Sequence, residues 1–193
     1  MILLIDNYDS FSYNLVQLIG CIAKEEIRVI RNDEMSVEEV ERLAPEFIVL
    51  SPGPGKPEDA GICEDVVRKM QGKCKILGVC LGHQGICEVY GAKITYAKEL
   101  MHGKQSLTEI DTEESLFKGL PERIPVARYH SLAAQPESMP DCLKVIGKTE
   151  DGEIMAVRHK EYEIYGLQFH PESVLTPDGE KILKNFLNAN EQI

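Results

Sequence analysis

Positive charge is scarce in this sequence. Its 193 residues carry 21 Lys and Arg against 32 Asp and Glu, a formal net charge of −11. Holding a phosphate backbone requires a basic stripe, and none is present, which argues against a nucleic-acid partner. Metal-type spacing is missing as well. Cys21, Cys63, Cys74, Cys80, Cys87 and Cys142 form no C-x-x-C pair and no Cys/His array suited to zinc, so no metal or other cofactor is expected. They fit reduced thiols in a cytosol. Long apolar runs are also absent: residues 1–5 are apolar, but Asp6 ends the run well short of a signal sequence or a membrane span. A soluble, cytoplasmic protein is expected. No repeat, linker or low-complexity tract divides the chain. Its length suits one domain over residues 1–193, enough to bury a core on both faces of a sheet, with no room for a second catalytic domain.

What is present is an alternation of strand and helix. Residues 1–5 form the continuous apolar run of a strand covered on both faces, as in parallel sheets. Phe11, Leu15, Leu18, Ile19 and Ile22 then recur three and four apart on one helical face. Residues 27–31 read as a second strand. Ser36 and Glu39 have capping-box spacing, in which hydroxyl and carboxylate each satisfy an orphan N–H, and the helix they start must stop near Pro45. Residues 47–50 make a third strand, left by a Ser51-Pro-Gly-Pro-Gly55 loop too rich in Pro and Gly to be regular. A helix over 62–70 precedes the strand that begins at Lys75. Three such repeats predict a flavodoxin-like, doubly wound α/β fold with a mostly parallel sheet, whose sites lie outside the carboxyl ends of the strands. Asn7, Gly53 and Cys80 fall at such ends.

Beyond a helix over 81–90, which Gly91 can cap, the texture changes to short strands at 93–95, 106–110, 126–129, 144–148, 154–158 and 164–169. The last two predict a hairpin with His159 on its surface, and antiparallel strands added in the C-terminal half. Thr176-Pro177-Asp178 opens a final helix with Ile182, Leu183, Phe186 and Leu187 on its apolar side.

Chemistry concentrates at Gly78-Val-Cys80-Leu-Gly82. Glycines two residues either side of a nucleophile suit a tight strand-to-helix elbow, where backbones come too close for a Cβ. A cysteine at its tip meets the dipole and unpaired N–H groups of a helix N-terminus, which favour the thiolate. The bland alternative is a buried structural cysteine; the other five cysteines are taken to be inert. A nucleophilic thiol also needs a base. His170 is the best placed of five histidines, since it closes a strand and Glu172 two residues on can accept its other N–H. His83 is expected to shape the site; His102 and His130 are candidates to line it. The Leu81 amide, beside the nucleophile, and the Gly55 amide, in a loop without bulky side chains, are candidate oxyanion donors.

Taken together, G-x-C-x-G-H-Q at 78–84, Ser-Pro-Gly-Pro-Gly at 51–55 and Phe-His-Pro-Glu-Ser at 169–173 resemble the class I, or triad, glutamine amidotransferases, over residues 1–187. The resemblance implies Cys80, His170 and Glu172 as the triad, Gly55 and Leu81 as oxyanion donors, and Gly53, Gly55, Gln84, Ser131 and Leu132 around the substrate L-glutamine. Within the class, Asp6-Asn-Tyr-Asp-Ser-Phe11, Met101-His-Gly-Lys104 and Arg128-Tyr-His-Ser-Leu132 are similar to the small subunits of anthranilate synthase and aminodeoxychorismate synthase. Gly55-Lys-Pro57 leans toward the former. That likeness implies a partner, a large chorismate-using synthase subunit that consumes the ammonia, met at a rim where Lys56, His102 and Lys104 would be prominent cations on an acidic protein. Two other readings stand beside it: a stand-alone cysteine hydrolase, against which the His170-x-Glu172 pair argues, and a flavodoxin-like binding module in which Cys80 only packs.

Overall fold

The computed structural model describes residues 1–188. The chain runs β1 (Ile2–Asp6), α1 (Ser12–Ile22), β2 (Ile27–Arg31), α2 (Val37–Leu43), β3 (Phe47–Leu50), α3 (Cys63–Met70), β4 (Lys75–Val79) and α4 (Leu81–Val89). It continues through β5 (Ile94–Tyr96), β6 (Lys104–Ile110), β7 (Arg123–Arg128), β8 (Leu132–Ala134), β9 (Leu143–Thr149), β10 (Ile154–His159), β11 (Ile164–Leu167) and α5 (Gly179–Asn188). Nine strands form one sheet in the order β2-β1-β3-β4-β11-β10-β9-β6-β7, while β5 and β8 pair separately. The first five strands in that order are mutually parallel and the last four join antiparallel, so the expected flavodoxin-like sheet with antiparallel additions is present.

Alternation along each strand decides which core a side chain enters. Ile2 and Leu4 of β1, with Phe47 and Val49 of β3, face a cluster completed by Leu15 and Ile19 of α1 and by Ile182, Leu183 and Phe186 of α5. Leu3, Ile5, Ile48 and Leu50 face the opposite cluster, closed by Val40 of α2, Val66 and Met70 of α3 and Ile86 of α4. A strand buried on both faces leaves only its ends free for chemistry. The capping box at Ser36 and Glu39 is formed, and Ala44 closes α2 in a left-handed conformation just before Pro45.

Several expectations need correction. Strand β8 was not foreseen; its Leu-Ala-Ala is too short to show a period, and it exists because β5 pairs with it. The last helix begins at Gly179, directly after Thr176-Pro177-Asp178, but the Thr176 side chain serves the His170 turn. Its hydroxyl donates to the His170 carbonyl at 2.7 Å and accepts from the Ala127 amide at 2.9 Å. His159 is not on the hairpin surface but buried. Its Nδ1 accepts from the Glu161 and Tyr162 amides, at 3.1 Å each, and its ring lies 4.7 Å from those of Tyr90 and Tyr162. The hairpin's turn had N–H groups to satisfy, and the imidazole supplies the acceptor. No helix among the described residues is long and apolar enough to cross a membrane.

Candidate active site

Because β1, β3, β4 and β11 are adjacent and parallel, their carboxyl ends bring Asn7, Gly53, Cys80 and His170 to one edge of the sheet. Cys80 sits between β4 and α4 with φ 52° and ψ −101°, a backbone state that L-residues hold only under constraint, typically at about 1–3 kcal/mol. The constraint is visible. A Cβ on Gly78 would lie 2.4 Å from the Gly82 carbonyl group, and one on Gly82 would lie 2.5 Å from the Leu50 carbonyl oxygen. Only glycines let the turn close. The Cys80 amide donates to the Leu167 carbonyl at 2.7 Å, tying the elbow to β11, and its carbonyl accepts the first helical bond from Gln84 at 3.0 Å.

His170 follows β11 by three residues. Its Nδ1 lies 2.6 Å from Glu172 Oε1, both side chains being buried. A carboxylate can only accept, so Nδ1 carries the proton and donates, which leaves Nε2 to act as base. That Nε2 is buried and has no hydrogen-bond partner among the described residues. Burial alone would depress the imidazole's pKa, but the Cys80 side chain and Glu172 outweigh it and raise it above the ordinary value. The rings of Tyr129 and Phe11 stand edge-on to the imidazole at 5.0 and 5.6 Å. The final helix buttresses the turn from behind, since a Cβ on Gly179 would overlap the Pro171 carbonyl.

In front of the cysteine is a cleft of about 210 Å³ lined by Gly53, Gly55, Gln84, Ser131 and Leu132, together with Pro54, Tyr129 and His130. Gly55 holds φ +80°, a conformation that glycine adopts without cost. Gly53 is glycine for lack of room: an added Cβ would lie 2.5 Å from Asn7 Cβ and 2.8 Å from a Leu81 methyl. Asn7 anchors the loop, its amide bonding Ser51 Oγ at 2.8 Å and its Nδ2 the Ser51 carbonyl at 2.9 Å. Cys63 and Asn32 both donate to Asn7 Oδ1, at 3.2 and 2.9 Å.

The histidines sort by environment. His83 is fully buried, with its ring under Gly166, and burial, reinforced by His130, pushes its pKa down to about 3. His130 lines the cleft, and burial together with the Arg128 charge pushes it down to about 4. Both stay neutral at pH 7 and cannot match His170 as a protonated acid. His102 is exposed and away from the cleft lining. Lys56 and Lys104 are exposed too, but neither is an isolated cation: Glu58 lies 3.6 Å from Lys56, and Glu99 4.0 Å from Lys104. On a chain this acidic, surface lysines find carboxylates. Residues 101–103 do run beside the site, through bonds from the Met101 amide to the His130 carbonyl and from the Gly103 amide to the Arg128 carbonyl, each 3.0 Å.

Sequence reasoning gave no role to four residues that the structure brings to the site. Arg128 and Glu153 form a buried ion pair beneath His130. Asp9 sits in the electrostatic field of His170 and Glu172, its pKa raised chiefly by burial. Gln168 places Nε2 3.6 Å from the Cys80 sulfur. Arg128 and Asp9 lie within the 128–132 and 6–11 segments, but nothing in those segments shows their contacts; Glu153 and Gln168 belong to no short pattern, and the strand pairing brings them in.

An elbow cysteine, a histidine oriented by a carboxylate and a glycine loop facing both are the parts that a cysteine amidohydrolase site would need, here on a doubly wound sheet. The chain belongs to the glutamine amidotransferase class-I family, which matches residues 3–190. It is 49% identical over 189 residues to the aminodeoxychorismate/anthranilate synthase component 2 of Bacillus subtilis, covering 98% of this chain and 96% of that protein. It is 51% identical over 192 residues to the anthranilate synthase component 2 of Pseudomonas aeruginosa, covering 97% and 94%. It matches the bifunctional protein TrpGD of Thermotoga maritima at 51% over 191 residues, covering 98% of this chain but only 32% of that one, so it spans about a third of that relative. A glutamine amidotransferase structure from Thermotoga maritima shares the fold, with a TM-score of 0.73 at 16% identity over 100% of this chain and 98% of that one.

Proposed function

We propose that this amidotransferase is a glutaminase subunit that hydrolyses L-glutamine and passes the ammonia to a chorismate-using synthase, anthranilate synthase in the first place. The Cys80 thiolate attacks the side-chain amide carbon, forming a C–S bond while the carbonyl electrons move to oxygen. The Gly55 and Leu81 amides receive that oxyanion. Collapse of the adduct breaks the C–N bond as the His170 imidazolium gives its proton to the departing nitrogen. Water then attacks the glutamyl thioester, His170 takes its proton, and the thiolate leaves with glutamate released. Gly53, Gln84, Ser131 and Leu132 hold the glutamine, and Lys56, His102 and Lys104 lie on the rim that meets the partner in the cytoplasm.

The observation that carries the reading is the buried His170 imidazole, held by Glu172 on one side and interacting with the Cys80 side chain of the strained elbow on the other. A carboxylate that fixes the ring and a thiol beside it are what proton exchange with the nucleophile requires. For the partner, the support is that relatives of nearly full length carry component 2 names. One of those names covers both synthases, so the same role for aminodeoxychorismate synthase is the second reading. The test combines the chain with each large subunit, chorismate and glutamine. Anthranilate formation with the first and a glutamate rate raised by the synthase are expected. Product only with the second subunit moves the assignment to the folate pathway, and equal glutamate rates with and without any synthase remove the subunit role.

A further inference from the structure

A thiolate at Cys80 is balanced in part by the His170 imidazolium beside it and by the start of α4. Cys80 is only 6% exposed, so water contributes little to solvating a thiolate there. The Tyr129 carbonyl, 4.0 Å from Sγ, can accept a thiol proton but opposes an anion. Besides His170, a neutral donor reaches the sulfur: Gln168 Nε2 at 3.6 Å, from a residue with no exposure at all.

The direction of that amide is fixed by a chain of obligatory roles. The Leu132 carbonyl can only accept, so the group 2.9 Å from it must be the amino end of Gln84. The same amino group lies 3.1 Å from the Gln168 side chain, which must present its oxygen there and its own amino group to the sulfur. Turning Gln168 over would set two amino groups against each other; turning both would set two oxygens together at Leu132. The carbonyl is pinned from its other side. Arg128 Nε, a donor only, lies 3.1 Å from His130 Nε2, so the His130 proton is on Nδ1 and is donated to the Leu132 carbonyl at 2.9 Å.

We propose that Gln168 is a further catalytic residue, whose carboxamide N–H holds the Cys80 sulfur as a thiolate, with Gln84 and the Leu132 carbonyl fixing the direction of that N–H. The inference rests on Cys80 being the nucleophile. The thiolate is needed twice, as the attacking group and as the group expelled when water cleaves the thioester, and a donor on sulfur serves both steps.

The test is the pH dependence of Cys80 alkylation by iodoacetamide in the free chain, where the thiolate displaces iodide, mapped by mass for wild type, Gln168→Met and Gln168→Glu. Removing the donor in Gln168→Met is expected to raise the midpoint by about one pH unit and to slow labelling at pH 7 about tenfold, leaving the high-pH plateau at the wild-type rate. Gln168→Glu keeps the shape and the bond from Gln84 but aims a carboxylate at the sulfur, and should raise the midpoint further. In complex with the synthase, kcat for glutamate release should fall while KM stays within about twofold. A residue that merely packs would lower the plateau or the melting temperature without moving the midpoint. An unchanged midpoint in Gln168→Met overturns the proposal. Gln168→Leu, which also removes the donor without adding charge, decides it should Gln168→Met not fold. Wild-type label arriving first on another cysteine removes the nucleophile and this proposal with it, an outcome distinct from a Cys80 whose midpoint ignores Gln168.

Discussion

The two walls of the cleft are built by different means. On the wall supplied by β3 and β4, position comes from missing side chains: Gly53, Gly78 and Gly82 each lie where a Cβ would meet neighbouring atoms within 2.5 Å. On the wall supplied by β7, β8 and the turn after β11, position comes from polar side chains, through Arg128, His130, Thr176 and the His170–Glu172 pair. Steric exclusion fails abruptly, because backbone cannot yield. Polar support fails by degrees, one hydrogen bond at a time. Cys80, the proposed nucleophile, stands on the first wall and His170, its proposed base, on the second, so the proposed chemistry requires both to hold.

The largest effect should come from cutting across the walls. Cys80→Ser and His170→Ala are each expected to reduce glutamate release by about 10³ or more, with the double variant little worse, because members of a triad act as a unit. Strict additivity in that cycle would mean that the two walls do not cooperate. Next comes the steric wall alone. Gly82→Ala puts a methyl group 2.5 Å from the Leu50 oxygen and 2.7 Å from its Cβ, and should cost about 10² in glutaminase rate together with a lowered melting temperature. Native activity in that variant would show that the elbow has slack.

The polar wall is probed by Arg128→Met, which strands the Glu153 carboxylate in a buried site and should cost about 3–5 kcal/mol in urea unfolding. Arg128→Met with Glu153→Met should recover much of that loss. A double variant no better than the single one would argue that the pair does more than cancel its own charges. Smaller still is the effect of acid. His83 and His130 are neutral in the fold, with pKa values pushed from 6.5 down to about 3 and about 4. The unfolded chain therefore binds more protons below pH 6.5, so the stability they contribute is full above that pH and is lost as pH falls toward 4. His170, shifted upward, is protonated in the fold throughout, whereas in the unfolded chain it gains its proton around pH 6.5; it therefore opposes the fall near that pH and adds no slope well below it. Melting temperature should fall from pH 7 to pH 4.5, and His83→Gln, if it folds, should flatten the fall.

The difference between the walls also explains what the sequence made legible. Glycine-dependent features could be read directly, since Gly78, Gly82 and the 51–55 loop leave a pattern in residue types at fixed spacing, and the apolar runs of β1, β3 and β4 announce buried parallel strands. His170 and Glu172 are two residues apart and could be paired on sight. The polar wall could not be read in the same way. Arg128 reaches Glu153 across 25 residues, and Gln84 reaches Gln168 across 84, and nothing local in either segment records the contact. His159 illustrates the same blindness: a histidine in a polar hairpin looks like surface until its ring is seen to accept the turn's own amides. The lysines of the rim were legible as cations, yet the neighbouring Glu58 and Glu99 change what they present.

One thiol of the six is the proposed nucleophile. Burial pushes the Cys63 and Cys74 thiols up to about 12, and that of Cys87 higher still. Cys80 alone stands at an elbow, before a helix, within reach of an oriented imidazole. Incubating the chain with a glutamine analogue that carries an electrophilic ketone, then mapping the adduct by mass spectrometry, tests this directly. A single label on Cys80, abolished by excess glutamine and slowed in His170→Ala, is the predicted result; first label on Cys63 or Cys142, or labelling that glutamine does not block, would contradict it.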